Sequence, residues 1–437
     1  MEKIKVGLIS LGCEKNLVDS EMILGVCKEA GFEIKTDLNE VDIIIINTCG
    51  FITSAKEEAI NTIFEALDYQ ENGTKIVVTG CLVQRYLDDL KKEIPEVDLY
   101  IPIKDYPKMG YLLSQLLNDN KYDGICMNPS NRVLSTPPHL AYLKISEGCN
   151  NNCAYCAIPL IRGKFVSKKE EDVITEFKYL IKTGRKEICL ISQDLTKYGI
   201  DLEGATLASL LQKLVKIEGD YKIRLLYLYP DEITDELIQV VKENDKIYPY
   251  FDIPVQHGSD KILTWMGRRG NQEFINNLIK KIRNEIPECV IRTTLILGFP
   301  HESEKDYQIL KQFVIDNKFD HLGAFTYSKE EDTRSFSMSG QVPEKLKQKR
   351  LDEIMEIQKW ISLNQNKRYL DNVYECIIES YDEVNDCYYA RGYMYAPDDI
   401  DGSIIIKSEK ELEISKVYRC KIYDVDFFDI FGEIVNE

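Results

Sequence analysis

The chain has 437 residues, 44% of them apolar, and a formal net charge of −18. That apolar content builds sizeable cores and excludes wholesale disorder. The acidic balance disfavours a phosphate backbone as main partner, unless a local basic patch overturns it. At roughly 150 residues per domain the length suggests about three domains.

In chain order, the start MEKIKVGLIS lacks the apolar run of a secretory signal and enters a strand directly. The longest aliphatic run, Ile43 to Ile46, is far too short to span a bilayer. The sequence therefore predicts a cytoplasmic protein with no membrane partner. Residues 1–127 alternate KVGLIS, DIIIIN and KIVVT with amphipathic helical stretches. This is the pattern of βα units on a parallel sheet. The Pro/Ser-containing stretch NPSNRVLSTPPHL, 128–140, reads as a linker.

The second unit, 135–366, holds six predicted strands: YLKIS, EICLIS, IRLLYL, YFDIPV, VIRTTLIL and HLGAFTY. Six βα units suit a partial (β/α)6 barrel better than a closed eightfold one. A long amphipathic helix at 343–368 is expected to pack outside it. The third unit, 369–437, has short β-rich runs between acidic turns and predicts a small antiparallel β-barrel. The fold class is thus α/β with a β-barrel appended.

Thirteen cysteines, an odd number, make a disulfide framework a poor explanation and favour metal or catalytic roles. GCNNNCAYC places Cys149, Cys153 and Cys156 at C-x3-C-x2-C spacing directly after a predicted strand. One short loop with three thiolates suits three irons of a 4Fe–4S cube, leaving the fourth iron open. The competing reading is a structural zinc site, which needs four ligands. His257 is a candidate fourth ligand, but no second cysteine pair lies nearby. The loop resembles that of the radical S-adenosylmethionine (SAM) enzymes. That resemblance implies SAM on the open iron and Tyr155 against its adenine.

Cys13, Cys49 and Cys81 each follow the carboxyl end of a predicted parallel strand, beside a glycine. Ligands gather at that edge of an open α/β sheet. The three are expected to converge as a second set of three cluster ligands. The other seven, Cys27, Cys126, Cys189, Cys289, Cys376, Cys387 and Cys420, read as small hydrophobes.

SLGCEKNLVDSE, NTCGFI, TGCLVQRY and GCNNNCAYCAIP together resemble the methylthiotransferases over essentially the whole chain. The resemblance implies an N-terminal methylthiotransferase domain, a radical SAM core and a C-terminal TRAM domain. It implies two 4Fe–4S clusters, SAM as cofactor, and a reducing partner such as flavodoxin or ferredoxin. It places Gln193 and Gly298 near the amino and adenine groups of SAM, with no catalytic side chain beyond the cluster ligands. TPPHLAYLKISEGC and AIPLIRG, 157–163, resemble the protein-modifying RimO branch, which acts on an aspartate of small-subunit ribosomal protein twelve. The tRNA-modifying branch is the alternative. From Tyr369 onward there are 17 Asp and Glu against 6 Lys and Arg, a net −11. Such a tail suits a basic ribosomal protein and opposes direct nucleic-acid binding. One departure is Glu14, where many relatives carry a small residue or proline; no consequence is attached to it. His257 lines the site or serves structure, and the pair Arg268–Arg269 reads as solvated.

Overall fold

The computed structural model describes residues 3–398 and 400–435; the extreme ends of the first and third predicted units lie outside these. The first sheet is all parallel. Its strand order is Glu33–Ile34, Lys5–Ser10, Ile43–Thr48, Lys75–Gly80, Leu99–Pro102. Ile43 to Ile46 are buried throughout, because helices cover both faces of a parallel sheet. Glu33–Ile34 and Leu99–Pro102 are edge strands that the pattern did not predict. One has two residues, and the other ends in a proline that an edge tolerates.

The second sheet has six parallel strands in the order His321–Thr326, Val290–Leu297, Ile247–Asp252, Lys222–Leu225, Glu187–Ile191, Leu140–Lys144. These are the six predicted strands, and the sheet stays open as expected. Its outward residues, such as Leu143, Ile188, Ile223 and Ile291, pack under the helices. Helix Glu344–Asn366 packs outside, against the strand His321–Thr326 and the helix Glu304–Asn317.

The C-terminal unit is a closed five-stranded barrel: Val373–Asp382, Cys387–Arg391, Ile404–Ile406, Ile430–Ile434, Val417–Val425. It is not wholly antiparallel as expected. Ile404–Ile406 pairs in parallel with Ile430–Ile434, a fifth strand the sequence reading missed. The small barrel also plugs the large one. Its residues 392–398, 400 and 401 enter the open interior, where Arg224 donates to the Tyr393 carbonyl at 2.9 Å. Tyr250 donates to Asp401 at 2.5 Å, and His321 Nε2 meets the Met394 carbonyl at 2.8 Å. Glu187 is buried between Arg224 at 2.6 Å and Arg391 at 2.5 Å. Buried charges are found paired in this way because an unpaired one is too costly.

The expected linker is built into the structure rather than free. Arg132 is fully buried and donates to Glu21 at 2.7 Å, to Glu176 at 2.5 Å and to the Tyr142 carbonyl at 2.7 Å. Ser135 adds two hydrogen bonds to Glu21. Arg132 thus ties helix Glu14–Glu29 of the first unit to helix Glu170–Lys182 of the second. Replacement of Arg132 by Met leaves buried Glu21 without its cation and Glu176 with Lys168 alone. The loss expected is about 3–5 kcal/mol of stability. Denaturant titration of the variant against the parent protein measures it.

Candidate active site

The loop that follows strand Leu140–Lys144 can turn as it does because residue 148 is glycine. Gly148 has φ +73°, and a Cβ there would meet the Lys164 carbonyl oxygen at 2.2 Å. The Cys149 amide donates to the Gly163 carbonyl at 3.1 Å, and the Cys156 amide to the Cys153 carbonyl at 3.1 Å. The Ala154 amide donates to the Met266 carbonyl at 2.7 Å, which fixes the middle of the loop. Arg268 lies 3.8 Å above the Tyr229 ring, 3.8 Å from Cys153 Sγ, and donates to the Pro254 carbonyl at 2.6 Å. This corrects the solvated reading for Arg268. Arg269 is exposed, as expected, and pairs with Asp231 and Glu232.

On the facing side, Cys13 precedes helix Glu14–Glu29, Cys49 follows strand Ile43–Thr48, and Cys81 opens helix Cys81–Glu93. Gly12, at φ +89°, lets the first of these loops lie against the second; a Cβ on it would sit 2.9 Å from Cys49 Cβ. Asn16, which the sequence reading passed over, holds the three loops together. Its Nδ2 donates to the Leu11 and Thr48 carbonyls, both at 3.0 Å. Its Oδ1 accepts from Arg162 at 2.5 Å and lies 3.4 Å from Cys81 Sγ.

All six cysteines line one cavity of about 450 Å³. The donor set fits iron–sulfur clusters. Burial first, then the neighbouring Cys153, pushes the Cys156 thiol up to about 12. Burial also pushes Cys81 to about 11, against the pull of Arg162. Such thiols become thiolates when a metal takes the proton's place. Among the described residues, no three His, Cys, Asp or Glu side chains close on a point sized for one ion. Thiolates about 2.3 Å from a single zinc would have to crowd together. A four-iron cube holds its sulfurs further apart.

The other predicted site residues fall differently. Tyr155 lines the cavity, edge-on to Phe299 at 6.5 Å. Gln193 lines it too; its Nε2 donates to Glu147 at 2.8 Å and its buried Oε1 has no partner among the described residues. Gly298 lies away from the lining; its amide donates to Glu302 at 2.7 Å and Lys347 packs on its α-carbon. His257 is fully buried off the cavity, between the Ser259 amide and Glu302, so it supplies no ligand. Of the seven cysteines read as hydrophobes, six are buried and Cys126 is exposed.

Further groups line the cavity: Arg162, Asp252 and Gln256, which the sequence offered only within the segments AIPLIRG and DIPVQHGSDKIL, and Lys15, Tyr227 and Arg292, which it did not single out. The plug contributes Ala396 and Ile400 to the wall. Tyr227 and Gln256 hold φ of +66° and +72°, a strain that side chains of this size rarely carry outside functional sites.

Family models match in three places. Residues 5–102 match a model described as the uncharacterized protein family UPF0004, 143–314 the radical SAM superfamily, and 372–435 the TRAM domain. A ribosomal protein uS12 methylthiotransferase RimO of Acetivibrio thermocellus is 46% identical, over 100% of this chain and 99% of its own. One of Alkaliphilus oremlandii is 47% identical over 99% and 100%. Among solved structures, the radical SAM methyltransferase TsrM of Kitasatospora setae superposes with TM-score 0.57 at 11% identity, covering 77% of each chain. The cobalamin-dependent radical enzyme OxsB gives 0.52 at 14%, covering 82% of this chain and 58% of that one. These two likenesses concern the fold. The partial barrel, with its three-cysteine loop at the mouth, defines a radical SAM enzyme. Its sequence relationship over the full length is closer still: the chain belongs to the RimO family of methylthiotransferases.

Because Gly148 sets the turn, Gly148→Ala is expected to displace the cysteine loop while leaving the first sheet intact. Iron in the reconstituted variant should fall toward half the parent value, with the loss confined to the barrel cluster. Iron analysis together with the visible spectrum checks this.

Proposed function

We propose that this methylthiotransferase adds a methylthio group to the β-carbon of an aspartate in small-subunit ribosomal protein uS12. The proposal assigns Cys149, Cys153 and Cys156 to one 4Fe–4S cluster and Cys13, Cys49 and Cys81 to another. It assigns the N-terminal methylthiotransferase unit to 1–127, the radical SAM core to 135–366 and the TRAM unit to 369–437. Tyr155 and Gln193 are the side chains offered to SAM. The carrying observation is that six cysteines from separate stretches of sequence line one cavity.

When bound, the barrel cluster with SAM supplies a radical able to take hydrogen from an unactivated C–H bond, and the other cluster supplies the sulfur. No side-chain base removes a proton from such a bond at neutral pH, so the chemistry falls to the cofactors. The chain's own residues position and enclose. Arg268 sets a fixed cation beside Cys153, and its stacking on Tyr229 keeps it there. The plug residues Ala396 and Ile400 add an apolar stretch to the cavity wall. Phe325, 57% exposed, stands at the rim and suits a peptide's apolar side chain.

The substrate class rests on the relatives' names and on charge. A unit carrying −11 repels phosphates and attracts a basic protein. The proposed reducing partner is a flavodoxin or ferredoxin, and the proposed location is the cytoplasm. No helix among the described residues is long and apolar enough to cross a membrane.

Two variants separate the half-reactions. The triple Cys149/Cys153/Cys156→Ala change should halve an iron content of about eight per chain and abolish 5′-deoxyadenosine formation. The triple Cys13/Cys49/Cys81→Ala change should keep 5′-deoxyadenosine formation and lose methylthio transfer. Substrate class is decided by offering reconstituted enzyme, SAM and reductant either uS12 or tRNA. Mass spectrometry is expected to find the added methylthio group on uS12 alone; its appearance on tRNA alone would return the chain to the tRNA branch.

A further inference from the structure

Four cations line the cavity: Lys15, Arg162, Arg268 and Arg292. Three are committed within the protein. Arg162 holds Asp19 at 2.6 Å, Glu147 at 3.2 Å and Asn16 at 2.5 Å. Arg292 holds Asp252 at 3.0 Å and Asp401 at 3.1 Å. Arg268 is clamped between the Tyr229 ring and the Pro254 carbonyl.

Lys15 is different. Its residue is only 7% exposed, yet among the described residues its ammonium has one ion-pair partner, at the outer limit of such a contact, and an aromatic face. The nearest carboxylate oxygen, on Glu14, stands 3.9 Å away. That carboxylate is engaged elsewhere, accepting from the Tyr227 hydroxyl at 2.7 Å. The neighbouring Asp252 is taken by the Tyr227 amide and by Arg292. What holds Lys15 is the face of Tyr227, 2.9 Å from the ring centroid. A cation resting on an aromatic face is oriented but keeps its three N–H donors free. With its side chain packed away and Glu14 no nearer than 3.9 Å, the ammonium presents its unfilled donors to the cavity, which points to a ligand there that completes it.

We infer that Lys15 binds the carboxylate of the target aspartate and so places its β-carbon between the two cysteine sets. This rests on the aspartate reading of the substrate. The geometry selects Lys15 over the arginines because it is the cation with open donors, and it sits two residues from Cys13, on the sulfur-donating side. Glu14 acquires a role as well: by taking the Tyr227 hydroxyl it fixes the platform under Lys15. A neutral base would gain nothing from such a cation, whereas an aspartate side chain would.

The experiment uses reconstituted holoenzyme without reductant and fluorescent uS12-derived peptides carrying either the target Asp or Asn in its place. Anisotropy gives the affinities, and iron analysis accompanies each variant. The parent enzyme should bind the Asp peptide about 10- to 100-fold more tightly than the Asn peptide, the size of a charge-assisted hydrogen bond. Lys15→Met should erase that preference with iron content unchanged, and Lys15→Arg should keep part of it. The inference is overturned if Lys15→Met weakens both peptides equally, if it retains the preference, or if it loses iron. A parent enzyme that binds the two peptides equally overturns it independently of any variant. If the parent binds neither peptide and modifies no uS12, the aspartate reading itself fails and the inference falls with it.

Discussion

The structure depends on one ion network that locks the first unit onto the mouth of the barrel. Asp19, on the helix that follows Cys13, accepts from Arg162 at 2.6 Å and from Lys144 at 2.5 Å. Lys144 ends the first barrel strand, and Glu147, three residues on, takes both cations in turn. Arg162 also reaches Asn16 and lies 3.4 Å from Cys81 Sγ. One guanidinium therefore touches groups that flank both cysteine sets. Lys144 and Arg162 hold the Glu147 carboxyl near 2 in spite of its burial, so that carboxylate stays charged across the neutral range. Because the two sets come from different units, neither alone defines a chemistry that needs both, and this contact brings them to one cavity.

Two further ties support that contact. On one side Glu330, from the loop after the last barrel strand, accepts from the Thr53 amide at 2.8 Å and from Lys56 at 2.9 Å. On the other, Arg132 joins Glu21 to Glu176. The first unit is thus held at several points around the mouth. The TRAM barrel closes the opposite end by inserting residues 392–398, 400 and 401 among the inward-facing polar residues of the open sheet. Of those inward residues, Arg224 and Arg292 already pair with Glu187 and Asp252 of the sheet, while the Tyr250 hydroxyl and His321 Nε2 find their partners on the plug. The plug completes these pairings, which explains why a partial barrel tolerates so polar an interior.

The cysteines were legible in the sequence because Cys13, Cys49 and Cys81 each lie past a recognisable strand beside a glycine, and the other three share one short loop after a strand. The six barrel strands were legible because parallel strands are continuous aliphatic runs. Strand Ile404–Ile406 was expected, but its parallel partner Ile430–Ile434 was not, since FGEIV offers little alternation and the pairing is long-range. Arg132 sat in what reads as a linker, and only tertiary context shows a buried cation with two carboxylates. Arg162 was visible within AIPLIRG as a resemblance, but nothing in that motif states that it reaches across to Asp19. Arg268 illustrates the converse: a dibasic pair is usually solvated, yet one member is drawn in by the Tyr229 face and the Cys153 sulfur. Lys15 and Glu14 adjoin a cysteine, so the sequence reading gave them no weight apart from it.

The central claim is that the two cysteine sets face one another across a single cavity. Pulsed electron paramagnetic resonance on the reduced, reconstituted enzyme tests it most directly. Two clusters that share a cavity of about 450 Å³ must lie close together, so their spins should couple, splitting or broadening signals that each triple-cysteine variant shows alone. Spectra of the parent enzyme that equal the plain sum of the two variants would contradict it.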